Sequence, residues 1–258
     1  MRYFITLSYD GTAYHGWQIQ PNAPSVQETL QGALSTLLRQ PVEVVGAGRT
    51  DTGVHARMMV AHFDFPGSED QSDNLAYKLN KLLPYDIAVQ NVRPVADDMH
   101  ARYSAVSRTY HYLLHLHKDP FLRNRSWQMY GSLNFEAMNR AASLLMEYRD
   151  FNSFSKLHTD TKTNDCLITE ARWDEVVPGQ WRFTITANRF LRNMVRAIVG
   201  TLIEVGRGRM TLEEFRRVIE RRDRCQAGES VPAHGLYLVD IKYIPSLNPY
   251  TFEPYICG

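Results

Sequence analysis

The hydrophobic and polar positions in the first half of the chain predict an alternation of strands and helices. Four apolar runs have the length and composition of strands, at positions 1–10, 42–45, 58–65 and 87–95. A helix is predicted after Ser25, because Ser25-Val-Gln-Glu28 has the form of a capping box. Apolar residues then recur at helical spacing, at Val26, Leu30, Ala33, Leu34, Leu37 and Leu38. A second helix is predicted over 73–83 and ends before Pro84.

The second half repeats this alternation with additional elements. Strands are predicted at 106–116, 167–177, 181–187 and 236–244, and the middle pair is joined at Pro178-Gly179. Helices are predicted at 135–148 and 190–205, and Thr211-Leu-Glu-Glu214 caps another. The first half has the order strand, helix, strand, strand, helix, strand, which is the ferredoxin-like pattern. We therefore predict an α+β fold in which two ferredoxin-like, RRM-like halves, 1–103 and 104–258, share a mainly antiparallel sheet with flanking helices.

Length, composition and cysteine usage limit the class of protein. With 258 residues, 44% of them hydrophobic, the chain can form one large domain or two of ordinary size. No apolar run has the length of a membrane span, and we expect the first residues to form a strand rather than a signal peptide. The cysteines Cys166, Cys225 and Cys257 are far apart, which fits a reducing compartment and argues against a Cys-pair metal motif.

Net charge bears on whether the partner is a nucleic acid. The net charge of +1 argues weakly against RNA, so a local basic patch would have to provide the affinity. Arginines do concentrate in one region, at Arg189, Arg192, Arg207, Arg209, Arg216, Arg217, Arg221, Arg222 and Arg224. The ordinary interpretation of such a run is the solvated face of a helix.

The segment Gly46-Ala-Gly-Arg-Thr-Asp-Thr-Gly-Val-His-Ala56, here called the central loop, is the strongest candidate for chemistry. It lies between two predicted strands, and its three glycines allow sharp bends or the close approach of another group. It carries one carboxylate, Asp51, and one guanidinium, Arg49. Three known loop types do not fit this segment. A phosphate-binding loop would need a lysine and a following helix, and a dinucleotide-binding loop would need a glycine at position 51. A calcium-binding loop would need more oxygen ligands than this segment offers. The remaining alternative is a hairpin turn with a capping Asp.

Arg196 lies in a predicted helix that is apolar on nearly every face. Its own face also carries Val199 and Ile203, and the opposite face carries Leu191, Val195, Ile198 and Leu202. A helix with this pattern is buried, and a buried guanidinium needs an anion because it keeps its proton. Asp51 is the one carboxylate already expected to be held inside, so we predict a buried ion pair. The alternative is that Arg196 extends to solvent along its aliphatic stem.

Strand alternation places Arg108, Tyr110 and Tyr112 on one face of the predicted strand 106–116. On the residues alone, Tyr110 is interpreted as an ordinary aromatic of a half-buried sheet. A zinc site is the alternative suggested by three histidines that share one strand face, His111, His115 and His117. No acidic or thiol ligand accompanies them, and we expect no metal.

Five motifs give the chain a resemblance to a known family. They are Tyr14-His-Gly-Trp-Gln-Ile-Gln20, Gly48-Arg-Thr-Asp-Thr-Gly-Val-His55, Arg108-Thr-Tyr-His-Tyr112, Asn193-Met-Val-Arg-Ala-Ile-Val-Gly200 and Gly235-Leu-Tyr-Leu238. In this order they resemble the landmarks of the bacterial tRNA pseudouridine synthase A family, and they cover nearly the whole chain. The resemblance implies the pseudouridine synthase fold and isomerisation of uridine at positions 38 to 40 of the tRNA anticodon arm. It also implies a cytoplasmic homodimer that uses no cofactor and no metal.

The resemblance also implies roles for individual residues. Asp51 is expected to be the catalytic carboxylate, Arg196 to bridge it, and Tyr110 to stack on the target base and handle a proton. Because the target must leave the helical stack to reach Asp51, base flipping is implied, and Arg49 is placed to hold the gap. Two stretches are expected to bind tRNA, namely Met99, His100, Ala101, Arg102 and Tyr103, and His158, Thr159, Asp160, Thr161 and Lys162.

Three positions depart from the family pattern. Thr52 stands where the family often has Ala, Met59 where Gln is common, and Met99 where an aromatic is frequent. None of them is a catalytic residue, so they bear on RNA contacts rather than on activity. The alternative function is a non-catalytic RNA-binding module of two RRM-like halves whose strand aromatics stack bases. That module would not account for a buried arginine matched to a lone carboxylate in a loop.

Overall fold

The computed structural model describes residues 1–66, 74–155 and 164–244, which form one large sheet with helices packed against it. The strands are β1 (Arg2–Tyr9), β2 (Val45–Gly46), β3 (His55–Asp64), β4 (Ile87–Val95), β5 (Ala105–His115), β6 (Trp127–Gln128), β7 (Ile168–Val177), β8 (Gln180–Ala187) and β9 (Leu236–Tyr243). The α-helices are α1 (Val26–Leu38), α2 (Leu75–Leu82), α3 (Phe135–Leu144), α4 (Met194–Gly206) and α5 (Leu212–Arg221). In these ranges no helix is long and apolar enough to cross a membrane.

The sheet is mainly antiparallel and contains strands from both halves of the sequence. The strand order is β4-β1-β3-β9-β5-β8-β7, with β2 paired to β3 and β6 to β5. The pairs β3–β9 and β5–β6 are parallel, whereas the other pairs along the sheet are antiparallel. Strand β9 joins the halves, because it lies between β3 and β5 with Ala56 opposite Leu238. The predicted α+β class and the shared, mainly antiparallel sheet are confirmed.

Two apolar cores pack on this sheet, and the central loop is anchored in both. One core contains residues of β1, β3, β4, α1 and α2 together with Leu238 of β9, and it includes Ala47 and Ala56 at the two ends of the central loop. The other contains residues of β5, β7, β8, α3, α4 and α5, and it includes Val54. The central loop is therefore fixed at the junction of the two cores.

The segment 42–45 is mostly not a strand, contrary to the prediction. Only Val45 and Gly46 pair with β3. Side chains of α1 take the backbone groups that a longer strand would use: Gln27 Nε2 donates to the Val44 carbonyl at 2.7 Å, and Gln31 Oε1 accepts from the Val44 N–H at 2.9 Å. Side chains of helix α1 meet the hydrogen-bonding needs of this backbone, so a longer pairing with β3 is not required.

Two predicted helices differ from the observed ones at their ends. Helix α4 begins at Met194 rather than at position 190, because Asn193 has a φ of 65°, in the left-handed region that a helix excludes. Helix α3 ends at Leu144 and is followed by a 3-10 turn over Leu145–Glu147, so the predicted helix 135–148 is shorter and tightens at its end. Apart from Arg196 and Glu204, the α4 residues are buried, as their pattern predicted.

Candidate active site

The back of the central loop rests on the segment 14–17 and on β1. A Cβ on Gly16, whose φ is +93°, would lie 2.3 Å from the Thr50 carbonyl oxygen, so only glycine permits this approach. The Trp17 N–H donates to the same carbonyl at 3.2 Å. The hydroxyl groups of Tyr9 and Thr50 are hydrogen-bonded at 2.9 Å in the interior. These contacts fix the residue that precedes Asp51, and they explain the glycine of the Tyr14–Gln20 motif.

The carboxylate of Asp51 contacts the guanidinium of Arg196 on α4. Nη1 of Arg196 lies 3.4 Å from Oδ2 of Asp51, and the two side chains are 21% and 29% exposed. The predicted contact is present, and Arg196 does not extend away to solvent. The prediction that the pair is buried is wrong in degree, because Arg49 and Thr52 on either side of Asp51 are exposed and leave the carboxylate open to solvent. A ligand can therefore approach Asp51 from this open side.

The orientation of Arg196 depends on close packing between α4 and the segment 228–231. A Cβ on Gly200 would lie 1.8 Å from the Glu229 carbonyl oxygen, so the last glycine of the Asn193–Gly200 motif permits this approach. Val231 bonds to Arg196 twice: its carbonyl accepts from Nε at 2.8 Å, and its N–H donates to the Arg196 carbonyl at 3.3 Å. The segment therefore aims the guanidinium at Asp51.

Tyr110 lies half-buried on β5, close enough to Asp51 for the carboxylate to influence its pKa. Its ring meets that of Phe190 edge to face, with the centroids 5.1 Å apart. Burial raises the pKa of Tyr110 to about 12, the charge of Arg108 opposes this shift, and the charge of Asp51 adds to it. The phenol therefore lies within the field of the carboxylate and keeps its proton at neutral pH. In this state it can donate a hydrogen bond or a proton but is not available as a base.

The stretch 99–103 divides into buried and exposed side chains. Met99 and Ala101 are 2% and 0% exposed, so these two side chains belong to the core and cannot reach a ligand. His100 closes a tight turn, because its Nδ1 accepts from the N–H groups of Arg102 and Tyr103 at 3.1 and 3.3 Å. The guanidinium of Arg102 lies 5.8 Å from the centre of the Tyr103 ring, and both side chains are exposed. The surface that this stretch offers a ligand is centred on Arg102 and Tyr103.

Arg49 and the second tRNA-binding stretch complete the set of residues singled out by sequence. Arg49 is exposed, and in the part of the chain that the structure describes its guanidinium has no hydrogen-bond or ion-pair partner. The residues His158, Thr159, Asp160, Thr161 and Lys162 lie outside the described residues. The structure thus joins Asp51 to Arg196, places Tyr110 within electrostatic range of the carboxylate, and leaves Arg49 as an exposed cation two residues from Asp51.

His55, the last residue of the Gly48–His55 motif, anchors the exit of the central loop. It is 2% exposed, its Nδ1 accepts from the Gly11 N–H at 3.0 Å, and its Nε2 lies 3.0 and 3.2 Å from the carbonyls of Asn124 and His234. Burial lowers the pKa of His55, and the charge of Asp10, whose Oδ1 lies 3.2 Å from Nδ1, opposes this shift. Because Nδ1 accepts from the Gly11 N–H, Nε2 carries the proton that the two carbonyls accept. This position requires a buried ring with a hydrogen-bonding nitrogen on each of two opposite sides, and histidine provides one. The sequence alone did not identify this structural role of His55.

The three histidines of the β5 region have separate environments. Burial chiefly lowers the pKa of His111 to about 4, with nearby arginines adding to the shift. His115 is buried and hydrogen-bonded to Ser126 at 2.9 Å, whereas His117 is exposed. Within residues 1–66, 74–155 and 164–244, no three His, Cys, Asp or Glu side chains are grouped as a metal site would require.

Known proteins similar to this chain cover both of its halves. A sequence model of the family described as tRNA pseudouridine synthase matches residues 5–104 and 141–244. The tRNA pseudouridine synthase A of Bacteroides thetaiotaomicron is 60% identical over 246 residues, which are 94% of this chain and 90% of that protein. The protein of the same name from Porphyromonas gingivalis is 59% identical over 94% of this chain and 97% of its own length. The one from Acetivibrio thermocellus is 42% identical over 93% of this chain and 98% of its own length. Among solved structures, the encapsulated DyP-type peroxidase from Mycobacterium smegmatis aligns over 91% of this chain and 90% of its own at 11% identity, but its TM-score of 0.24 carries no argument.

Proposed function

The chain belongs to the tRNA pseudouridine synthase family, and on that basis we propose that it is an isomerase that converts uridine to pseudouridine in tRNA. The proposed targets are positions 38 to 40 of the anticodon arm. The reaction breaks the bond from ribose C1′ to N1 of uracil and forms a bond from C1′ to C5. The hydrogen of C5 leaves as a proton and N1 gains a proton, so atoms and electrons balance without an oxidant, a reductant or a cofactor.

Asp51 is the residue that begins this reaction in our proposal. An ionised carboxylate can add to C1′, add to the uracil ring, or take a sugar proton so that a glycal forms. Arg196, with Nη1 at 3.4 Å from Oδ2, orients the carboxylate and balances its charge. This contact between a loop carboxylate and the arginine of a largely buried helix is the observation that carries the proposed mechanism.

Tyr110 and Arg49 act on the target nucleoside in the same proposal. The half-buried ring of Tyr110 stacks on the uracil, and its protonated hydroxyl supplies a hydrogen bond or a proton as bonds rearrange. A uridine within the anticodon arm reaches Asp51 only by leaving its stack. The exposed side chain of Arg49, two residues from Asp51, then occupies the space that the flipped base leaves.

The proposed RNA surface extends from the site to Arg102 and Tyr103. Stacking of a base on the exposed ring and pairing of the guanidinium with phosphate are the interactions expected of this combination. The segment His158 to Lys162 and the His100 turn are included on the strength of the family resemblance. We also propose a cytoplasmic homodimer in which one tRNA spans both subunits, which would enlarge the basic surface beyond what a chain of net charge +1 offers alone.

The finer description of the fold belongs to the same proposal. The halves 1–103 and 104–258 would each be ferredoxin-like, as in the pseudouridine synthase fold. Support for the first half comes from its antiparallel order β4-β1-β3, with β2 added to β3 and with helices α1 and α2 in the two crossovers.

Tritium release from tRNA that carries uridine labelled at C5 tests the proposed function. The wild type should release tritium and form pseudouridine at positions 38, 39 or 40 of transcripts that carry uridine there. Asp51→Asn should remain folded and bind the same tRNA but release no tritium. Product from a clean Asp51→Asn preparation would contradict the role of Asp51, whereas binding without tritium release by the wild type would favour the non-catalytic module.

A further inference from the structure

A half-buried arginine on β5, Arg108, bonds to backbone carbonyls of three separate segments. Its Nη1 donates to the carbonyls of Ala105 at 2.9 Å and Asn188 at 2.8 Å. Its Nη2 donates to the carbonyls of Ala47 at 3.1 Å and Arg102 at 2.5 Å. These acceptors belong to the start of the central loop, to the stretch that leads from 99 into β5, and to the link between β8 and α4.

The two terminal nitrogens of Arg108 use their hydrogen-bonding capacity inside the protein. Its terminal nitrogens carry four N–H bonds, and the four carbonyls accept them, so neither nitrogen has a hydrogen left for an RNA phosphate. Among the described residues no carboxylate lies within ion-pair distance of Arg108. Burial lowers the pKa of Arg108; the nearby side chains of Tyr243 and Tyr110 oppose this shift, and the charges of Arg102 and Arg189 add to it. Arg108 therefore carries a half-buried charge that is bonded to backbone carbonyls rather than to a carboxylate, and we interpret its role as the arrangement of those carbonyls.

We propose that Arg108 is a positioning residue, which holds three segments in a fixed arrangement. These are the central loop, the surface around Arg102 and Tyr103, and the link between β8 and α4 that contains Phe190. The inference rests on the proposed function, because its consequence is the placement of a bound uridine relative to Asp51. Ala47 is in the same loop as Asp51, and Asn188 precedes the Phe190 ring that contacts Tyr110. A shift of about 1 Å among such groups can lower a rate about a hundredfold.

Arginine is the side chain suited to this task. A planar guanidinium directs its N–H bonds outward in a fixed fork, so one side chain can reach carbonyls on several sides. A lysine ammonium is a single point of contact at the end of a flexible stem and cannot reach all four acceptors at once. Arg108→Lys therefore keeps the charge but loses the arrangement, which separates the role of geometry from that of charge.

The test compares Arg108→Met and Arg108→Lys with the control variant Arg140→Met in the full-length protein. Arg140 is an exposed arginine of α3 that pairs with Glu136 on the same helix, and it contacts none of the residues of the proposed site. For each folded variant, the rate of pseudouridine formation is measured in a single turnover at saturating tRNA, alongside the Kd for tRNA. We expect a rate loss of about tenfold to a hundredfold in Arg108→Met, most of it persisting in Arg108→Lys, with the Kd within about threefold of wild type. Arg140→Met should stay within about twofold in both quantities.

Chemical rescue gives a second measurement that does not depend on the stability of one variant. Millimolar guanidinium added to Arg108→Ala should restore part of the single-turnover rate, whereas sodium chloride at equal ionic strength should not. A wild-type rate in Arg108→Met, or a loss confined to the Kd, would overturn the inference and in the second case make Arg108 an RNA contact. If the wild type itself forms no pseudouridine, the proposed function fails and the inference falls with it. An active wild type with an equally active Arg108→Met refutes the inference alone.

Discussion

The contact between Arg196 and Asp51 can be measured with a double-mutant cycle of Arg196→Met, Asp51→Asn and the double variant. Methionine retains an unbranched apolar stem, and asparagine retains the shape of aspartate, so each substitution removes a charge with little change in volume. The wild type has one contact from Nη1 to Oδ2 at 3.4 Å and one hydrogen bond from Nε to the Val231 carbonyl at 2.8 Å. The cycle isolates the first of these, because the second is lost in both variants that lack Arg196.

The expected coupling free energy follows from the distance and the exposure of the pair. Unit charges separated by 3.4 Å attract by about 5 kcal/mol at an effective dielectric constant of about 20 and by about 1 kcal/mol in bulk water. The side chains are 21% and 29% exposed and share a single contact rather than a bidentate fork, which places the pair near the aqueous limit. We therefore expect a coupling of about 1–2 kcal/mol, and a total cost of about 2–3 kcal/mol for Arg196→Met because the Val231 bond is also lost. This is below the roughly 3–5 kcal/mol typical of breaking a fully buried pair.

The assay is urea-induced unfolding of all four proteins, with the free energy of unfolding compared at one pH and ionic strength. A control cycle on Glu136→Gln and Arg140→Met tests an exposed pair on α3, whose side chains are 84% and 52% exposed. The control coupling should be about 0.5 kcal/mol or less. A coupling for Arg196 and Asp51 that does not exceed the control would refute the reasoning from helix α4.

In the tritium assay, folded Arg196→Met should lose turnover, because Asp51 is no longer held in place.

Two further predictions concern a proton donor and a buried imidazole. Tyr110→Phe keeps the ring and loses the hydroxyl, so turnover should fall about a hundredfold at an unchanged Kd for tRNA. Tyr110→Ala should also weaken tRNA binding by about 1–3 kcal/mol, because stacking is lost. Wild-type turnover in both variants would mean that Tyr110 is only an aromatic residue of the sheet. Burial lowers the pKa of His62 to about 4, with the charges of Arg2 and His100 adding to the shift. Because the unfolded imidazole titrates near 6.5, the unfolded state binds the proton first, and stability should fall as pH drops from about 6.5 towards 4. His62→Asn, which keeps an acceptor for the Ala101 N–H, should flatten this part of the profile of urea midpoint against pH, and an unchanged slope would contradict the assignment.

Local sequence patterns determined most of the elements and pointed to the contact between Asp51 and Arg196, whereas Tyr110 entered the candidate site only through the family resemblance. The all-round apolar pattern of 194–206 is that of a helix buried along nearly its whole length, and Thr211 with Glu214 forms the reciprocal capping box that the spacing predicted. The central loop and Arg196 could be connected from sequence, because an arginine in such a helix needs an anion and the loop offers a single carboxylate. These inferences succeed since periodicity, capping and charge compensation depend on neighbouring residues or on one strong requirement.

The tertiary structure alone decided how open the site is and which residues support it. The exposure of the Arg196–Asp51 pair follows from the exposed neighbours of Asp51 in a loop that is supported from behind. The division of 99–103 into core and surface, and the four carbonyls gathered by Arg108, depend on segments far apart in sequence. Strand β9 makes this arrangement possible, because it inserts between β3 and β5 and brings the central loop, β5 and the start of α4 to one junction. Such long-range strand pairing leaves no periodic signal in the chain, so which polar groups meet there is settled only by the folded sheet.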